Sequence, residues 1–362
     1  MLDEIQKYIQ DDLCDIVYKL VGHYTTIQVF NYLDTNILSI SYEKLKKLYK
    51  FKEIIFDNKI HYINSYKEYI KNNNNNNSND ISIFILSKQE LNTTILFIKC
   101  NHYKIDGTLL FNILTKWSSI YTKIFQQNEN KINKTQTPET KNVSHFATLK
   151  TSQKVFFSID KWCKTYEPYL PIHPSFFQHI KLKYKFSDYV IITSIWSHYI
   201  YIRNKNSIFS HLFNYRPLKC KYKNGNYIYI DIIEISNNII NTCYILTNKV
   251  KKIKKLKLNK KIQGIKSVIN ILNLKNIFTT NILFDSWLMY KHLNFAQNKL
   301  NSVYTSQYNY NYNYKLFDKL NLPRLCFVTI HNGYYCLSNQ IKNTYNSDFN
   351  DFMRVKLLDI SP

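Results

Sequence analysis

The chain has 362 residues, 45% of them hydrophobic, enough for a large core and more than one core usually holds, so two domains are expected. Lysine and arginine number 49 against 25 aspartates and glutamates, giving a formal charge of +24, and only 5 glycines stand beside 31 tyrosines. This profile follows from an AT-rich coding sequence, which halves the weight of the charge as a sign of nucleic-acid or anionic-membrane binding. No nucleic-acid-binding motif accompanies it, and no nucleic-acid partner is expected.

The seven cysteines are scattered without a C-x-x-C pair, which points away from a disulfide framework and from zinc. The acidic opening, with Asp3, Glu4, Asp11 and Asp12, lacks the apolar centre of a signal peptide. No uncharged apolar stretch approaches the roughly 18 to 20 residues that cross a bilayer. A soluble, cytoplasmic protein in a reducing compartment is expected.

Residues 5–20 place Ile5, Tyr8, Ile9, Leu13, Ile16, Val17 and Leu20 at helical spacing, predicting an amphipathic helix on a sheet. The Asn run at 72–77 reads as a loop insertion. Two apolar runs, 81–86 and 93–99, are rich in β-branched and aromatic residues and are parted by a polar turn, which predicts a hairpin. The second leads directly into Asn101-His102-Tyr103-Lys104-Ile105-Asp106-Gly107. Beyond it Leu109, Leu110, Ile113, Leu114, Trp117, Ile120, Tyr121 and Ile124 predict a helix, so the motif stands on a strand-to-helix turn. Residues 126–144 are polar and aperiodic, an exposed linker or crossover loop. A second αβ pattern follows, with a helix over 187–202 and strands over 208–215 and 226–235. Residues 249–266 carry nine lysines on the solvated face of a helix whose other face holds Val250, Ile253 and Leu256, and 308–314 alternate Tyr and Asn in a low-complexity loop. Residues 325–330 and 334–338 flank Asn332-Gly333, a strong hairpin signal, and an amphipathic helix over 347–358 closes the chain.

His102 is the residue on which function turns. A histidine at a strand end facing a cleft can take a proton from a hydroxyl or amine, and its ordinary titration range suits base chemistry, although a lone histidine is more often structural. Asp106 reads as the cap of the following helix rather than a proton carrier. Gly107 is expected to supply the tight backbone of the turn. His198, His211, His292 and His331 have no metal-ligand spacing, and no metal is expected.

The stretch from Asn101 to Trp117 resembles the H-x-x-x-D-G segment of the BAHD acyltransferases. Further segments agree in order. Residues 187–202 resemble the helix opening that family's second domain, with Trp196 at the aromatic position. Phe213 to Arg216 followed by Asn224 to Ile228 resembles the strand Arg and the Gly-Asn pair, here Arg216, Gly225 and Asn226. Residues 284–299 resemble the segment in which a Thr-Ser-Trp-like triplet, here Asp285-Ser286-Trp287, precedes D-F-G-W-G-K. The resemblance runs from about residue 81 to the end, and one early strand is absent or unrecognised.

The resemblance implies an α/β layered fold of two chloramphenicol-acetyltransferase-like domains, each a mixed sheet flanked by helices: residues 1–125, which carry the turn, a crossover and linker over 126–180, and residues 181–362. It implies a monomer with a channel between the domains that admits acyl-CoA as co-substrate and a small-molecule acceptor, with no permanently bound cofactor. His102 would take the acceptor proton during attack on the thioester and return it to the CoA thiolate, with no covalent acyl-enzyme. Asp106 would pair with Arg216. Gly107 and Asn226 would support the site, while Asp285, Ser286 and Trp287 would meet substrate. Relatives that use carrier-bound donors have a second His where Asn101 stands, which favours free CoA.

Two departures stand out. Asn294-Phe295-Ala296-Gln297-Asn298 replaces D-F-G-W-G and keeps only the Phe. Asp285 places a carboxylate where it repels an oxyanion and attracts a cation, unless Lys291 or Lys299 takes it. The competing readings are a binding or scaffold protein that has lost turnover, and a basic nucleic-acid-associated protein supported by charge alone.

Overall fold

The computed structural model describes residues 22–73, 79–133, 168–204, 208–214, 216, 218–236, 238–255, 282–307, 324–339 and 352. Its first part comprises β1 (His23–Asn31), α1 (Thr35–Lys46), β2 (His61–Tyr62), α2 (Tyr66–Asn73), β3 (Ile81–Lys88), β4 (Thr93–Asn101) and α3 (Gly107–Asn133). The two continuous apolar runs are β3 and β4, and they lack polar alternation because both faces are covered. Ile81, Ile83 and Ile85 join Leu96, Ile98 and Cys100 in the main core, whereas Phe84, Leu86, Ile95 and Phe97 join Ile27, Val29 and Tyr69 in a second cluster. Asp34 starts α1 by accepting from the backbone N–H of Asn36 and Ile37 at 2.9 and 3.0 Å. Trp117 of α3 donates its indole N–H to Ser41 of α1 at 2.8 Å, which satisfies a buried polar group while the ring fills the core.

The second part comprises β5 (Pro168–Ile172), α4 (Gln178–Tyr184), α5 (Asp188–Asn204), β6 (Ile208–Asn214), β7 (Ile228–Glu234), α6 (Ile239–Lys255), β8 (Ile282–Ser286), β9 (Asn294–Phe295), β10 (Asn298–Gln307), β11 (Arg324–His331) and β12 (Tyr334–Asn339). Helix α5 buries Val190, Ile191, Ile192, Ile195, Trp196, Tyr199 and Ile200, a helix enclosed on nearly every side. The strands run β2-β3-β4-β1-β10-β11-β8-β6-β7 in one mixed sheet, with β12 paired to β11 and β5. Strands β8 and β11, β6 and β8, and β2 and β3 pair in parallel, and the other pairings are antiparallel. Strand β10 comes late in the chain yet pairs along β1, from Tyr24↔Gln307 to Phe30↔Leu300, and it meets β11 only at Ser302↔His331 and Val303↔Ile330. This strand ties the two halves together. One large mixed sheet with flanking helices is the layered α/β architecture expected from the sequence, with the sheet continuous across the two parts.

Several expectations shift. Helix α3 continues to Asn133, through the first part of the supposed linker at 126–144, because Gln, Asn, Glu and Lys extend a helix without extending its apolar stripe. An early strand, β1, does exist, and residues 168–172 of the supposed crossover form β5 against β12. Helix α6 begins at Ile239, well before its lysines, and turns Ile253 into the core. The helix at 5–20, residues 74–77 of the Asn run, residues 256–266, the Tyr-Asn run at 308–314 and, apart from Phe352, the helix at 347–358 lie outside the described residues. Among the described residues no helix is long and apolar enough to cross a membrane.

The hairpin between β11 and β12 turns through Asn332 and Gly333, at φ 47° and 82°, both in the left-handed region a two-residue hairpin requires. Space for a Cβ at Gly333 is open, so Gly333→Ala meets only the backbone penalty. A loss of about 1–2 kcal/mol in urea denaturation is expected, from the cost of holding an L-residue in that region.

Candidate active site

Strand β4 delivers His102 to the turn, and several anchors fix the backbone there. The His102 N–H donates to the Gly22 carbonyl at 2.9 Å, and Asn101 accepts the Tyr103 N–H on its side chain at 3.2 Å. Asp80, buried at the start of β3, accepts from the Asn101 side chain at 3.2 Å, the Lys104 ammonium at 2.9 Å and the Ile55 N–H at 2.9 Å. Asp106 opens α3, with one carboxylate oxygen accepting the Leu109 N–H at 2.7 Å. Its other oxygen accepts from Arg216 at 2.7 Å and from the Tyr227 N–H at 3.1 Å. The cap and the ion pair therefore share one carboxylate.

Arg216 does more than neutralise Asp106. Its guanidinium also donates to the carbonyls of Cys220, Lys223 and Gly225 at 3.0, 2.6 and 2.7 Å and lies 4.3 Å from the Tyr227 ring centroid. This folds the segment after β6 into a fixed loop. Gly225, at φ 100°, donates its N–H to Lys104, and the Asn226 amide donates to the carbonyls of His102 and Tyr103 at 2.9 and 3.2 Å. The loop thus grips the turn at three successive residues.

His102 is partly accessible, with its ring 4.7 Å from that of Tyr24. Burial pushes its pKa down to about 4, against opposing effects from its own backbone, Asp106 and Asn226. The imidazole is neutral at physiological pH, the form a base must have. Trp287 stands edge-on to Tyr24 at 6.0 Å, and Tyr290 donates its hydroxyl to the Gly107 carbonyl at 2.9 Å. Gly107 is not needed for a left-handed backbone, as only Gly22, Gly225 and Gly333 have positive φ among the described glycines. It packs under Trp287, where a Cβ would lie 3.4 Å from the ring, at ordinary van der Waals contact. Ser286 accepts the Leu288 N–H at 3.4 Å, and the Trp287 indole donates to Asp285 at 3.3 Å. Burial raises the Asp285 carboxyl to about 6, countered in part by the Trp287 and Ser286 hydrogen bonds.

The structure therefore brings His102, Asp106, Gly107, Arg216, Asn226, Asp285, Ser286 and Trp287 to one place. Sequence reasoning missed Asp80, Tyr24 and Tyr290. Tyr24 lies on the unassigned strand, and no spacing links Asp80 to the turn. Lys291 does not meet Asp285: with Lys181 and the Tyr335 hydroxyl it binds Asp188, and these bonds outweigh burial to hold that carboxyl down at about 2. Among the described residues no group of three His, Cys, Asp or Glu side chains could hold a metal.

In the degenerate motif, Phe295 is fully buried, edge-on to Phe30, Trp117 and Tyr121 at 5.3 to 5.4 Å. Ala296 follows at φ 53°, where the resembled motif has Gly, and its N–H donates to Thr122 at 2.9 Å.

No protein-family model and no curated protein sequence matches the chain. Solved structures do. The first condensation domain of the CDA synthetase superposes with TM-score 0.56 at 7% identity, covering 95% of either chain. Vinorine synthase matches with TM-score 0.52 at 13% identity over 94% of this chain and 90% of its own. The starter condensation domain of rhizomide synthetase, in complex with C8-CoA and Leu-SNAC, matches with TM-score 0.52 at 8% identity over 98% and 93%. The likeness shows the fold, which this chain shares with these condensation domains and with vinorine synthase.

Two outcomes follow. Asp106→Ala and Arg216→Ala should each cost about 3–5 kcal/mol by stranding a buried charge. In the double mutant the losses should fall short of their sum by about 0.5–3 kcal/mol, and strict additivity in denaturant titrations would show the two groups to be uncoupled. Ala296→Gly should raise stability by about 1 kcal/mol, since relief of the left-handed strain exceeds the entropy a glycine loses.

Proposed function

We propose that the chain is an acyltransferase of the BAHD type that moves an acyl group from free acyl-CoA to a hydroxyl or amine, with His102 as general base. The observation that carries this is the His102 imidazole, packed on Tyr24 at the end of β4 and set on a turn held by Asp106, Arg216 and Asn226. The fold shared with vinorine synthase and with a domain solved in complex with C8-CoA supports the reading. Asn101, bonded into the turn, stands where carrier-dependent relatives have a second His, which favours free CoA.

The acceptor O–H or N–H gives its proton to the His102 imidazole while the acceptor atom bonds to the thioester carbonyl carbon. The carbon–sulfur bond then breaks, and the proton passes from imidazolium to the departing thiolate. Asp106 takes no proton: its oxygens are committed to the helix cap, Arg216 and Tyr227. A second reading, a binding protein without turnover, is favoured by the lost D-F-G-W-G residues.

His102→Ala should lower kcat by roughly 10²- to 10⁴-fold, the usual contribution of a general base, while acyl-CoA still raises the melting temperature. Full activity in that variant removes His102 from the mechanism, and absence of turnover in the unmodified protein with every donor leaves the binding reading. The sign of the pH dependence follows from burial. A pKa lowered to about 4 keeps the base form populated through mild acid, so kcat/KM for a neutral alcohol should fall only as pH drops towards 4. An acid limb centred near 6.5 would assign that limb to an unburied imidazole.

A further inference from the structure

Asp285 stands one residue before the end of β8 and is partly accessible, while burial raises its pKa. Its carboxyl accepts from the Trp287 indole at 3.3 Å and from the Ser286 backbone. No Lys, Arg or His among the described residues forms an ion pair with it, and the nearest candidate in sequence, Lys291, is committed to Asp188 and Tyr335. The charge that Asp285 feels is that of Asp106, also negative. Trp287 joins this carboxyl to the catalytic turn, since its ring rests on Gly107 and meets Tyr24, which in turn packs on His102. No cation among the described residues therefore pairs with this carboxyl, which Trp287 links to the turn that carries His102. The protein's overall charge opposes a cation at long range, but beyond roughly 8 Å that repulsion is screened at physiological salt, and the local carboxylate decides.

We propose that Asp285 sets the acceptor class by binding a cationic nitrogen of an acceptor whose nucleophilic hydroxyl or amine lies elsewhere in the molecule: a diamine, a polyamine or an amino alcohol. This rests on the acyl-transfer reading. The nucleophilic nitrogen must be uncharged to attack, so the ammonium held by Asp285 is a second one.

The test needs no turnover. Calorimetric titration of the unmodified protein, without acyl-CoA, compares a short linear diamine, the amino alcohol of equal length and the diol of equal length. The two cationic compounds should bind about tenfold or more tightly than the diol, a difference of about 1.4 kcal/mol. Asp285→Asn should abolish this preference without weakening the diol, Asp285→Glu should restore it, and His102→Ala should leave it intact. Equal affinities for the three compounds in the unmodified protein, or a preference that survives in Asp285→Asn, overturns the proposal. If Asp285→Asn does not fold, the comparison in the unmodified protein decides alone. A preference that holds in a protein with no acyl-CoA turnover would support Asp285 as a cation site while removing the acyl-transfer reading.

Discussion

A buried guanidinium has to find an oxygen for nearly every N–H it takes from water, and Arg216 finds them in two distant parts of the chain. The Asp106 carboxylate opens helix α3, and the carbonyls of Cys220, Lys223 and Gly225 belong to the loop after β6. Taking the two charges out of water is costly, and a buried pair rarely stabilises more than apolar residues of equal volume. Its value here is geometric. Once Arg216 is satisfied in this way, the loop has one conformation, Gly225 and Asn226 reach the carbonyls of Lys104, His102 and Tyr103, and the turn carrying the imidazole cannot drift.

The electrostatics of the base are set first by burial. The Asp106 carboxylate four residues away acts to raise the His102 pKa, but its effect is smaller than that of burial, so the imidazole stays neutral. Burial acts oppositely on Asp285, raising a carboxyl instead of lowering a base. The two groups respond to one cause, removal from water, and their opposite shifts follow from the opposite charges of their ionised forms.

Much of this was legible in the sequence. Strands β3 and β4 read as apolar runs because both of their faces are buried, and the Asn-Gly hairpin and the helix start at Asp106 are local chemistry written in adjacent residues. The Asp106–Arg216 pair spans 110 positions and could be anticipated only from resemblance. What was hidden shares a physical character. Strand β1 contains Thr25, Thr26 and Gln28, all buried, so neither alternation nor an unbroken apolar run marks it. The end of α3 is polar, so its helix outlasts its stripe. Gly107 suggested a tight turn, whereas its φ is ordinary and it packs under Trp287, a contact that no local pattern encodes.

The replacement of D-F-G-W-G leaves the loop anchored. The loop keeps its position because Phe295 is held among Phe30, Trp117 and Tyr121, and because Ser118 and Thr122 of α3 bond to the Asn294 carbonyl and the Ala296 N–H. Ala296 is drawn into the left-handed conformation that a glycine would adopt freely. A cost of about 1–2 kcal/mol for such strain is small beside burial of a phenylalanine and two hydrogen bonds to a helix. The shape of the loop is therefore set by its anchors on α3, and the replaced residues could change identity without moving the turn on which His102 stands.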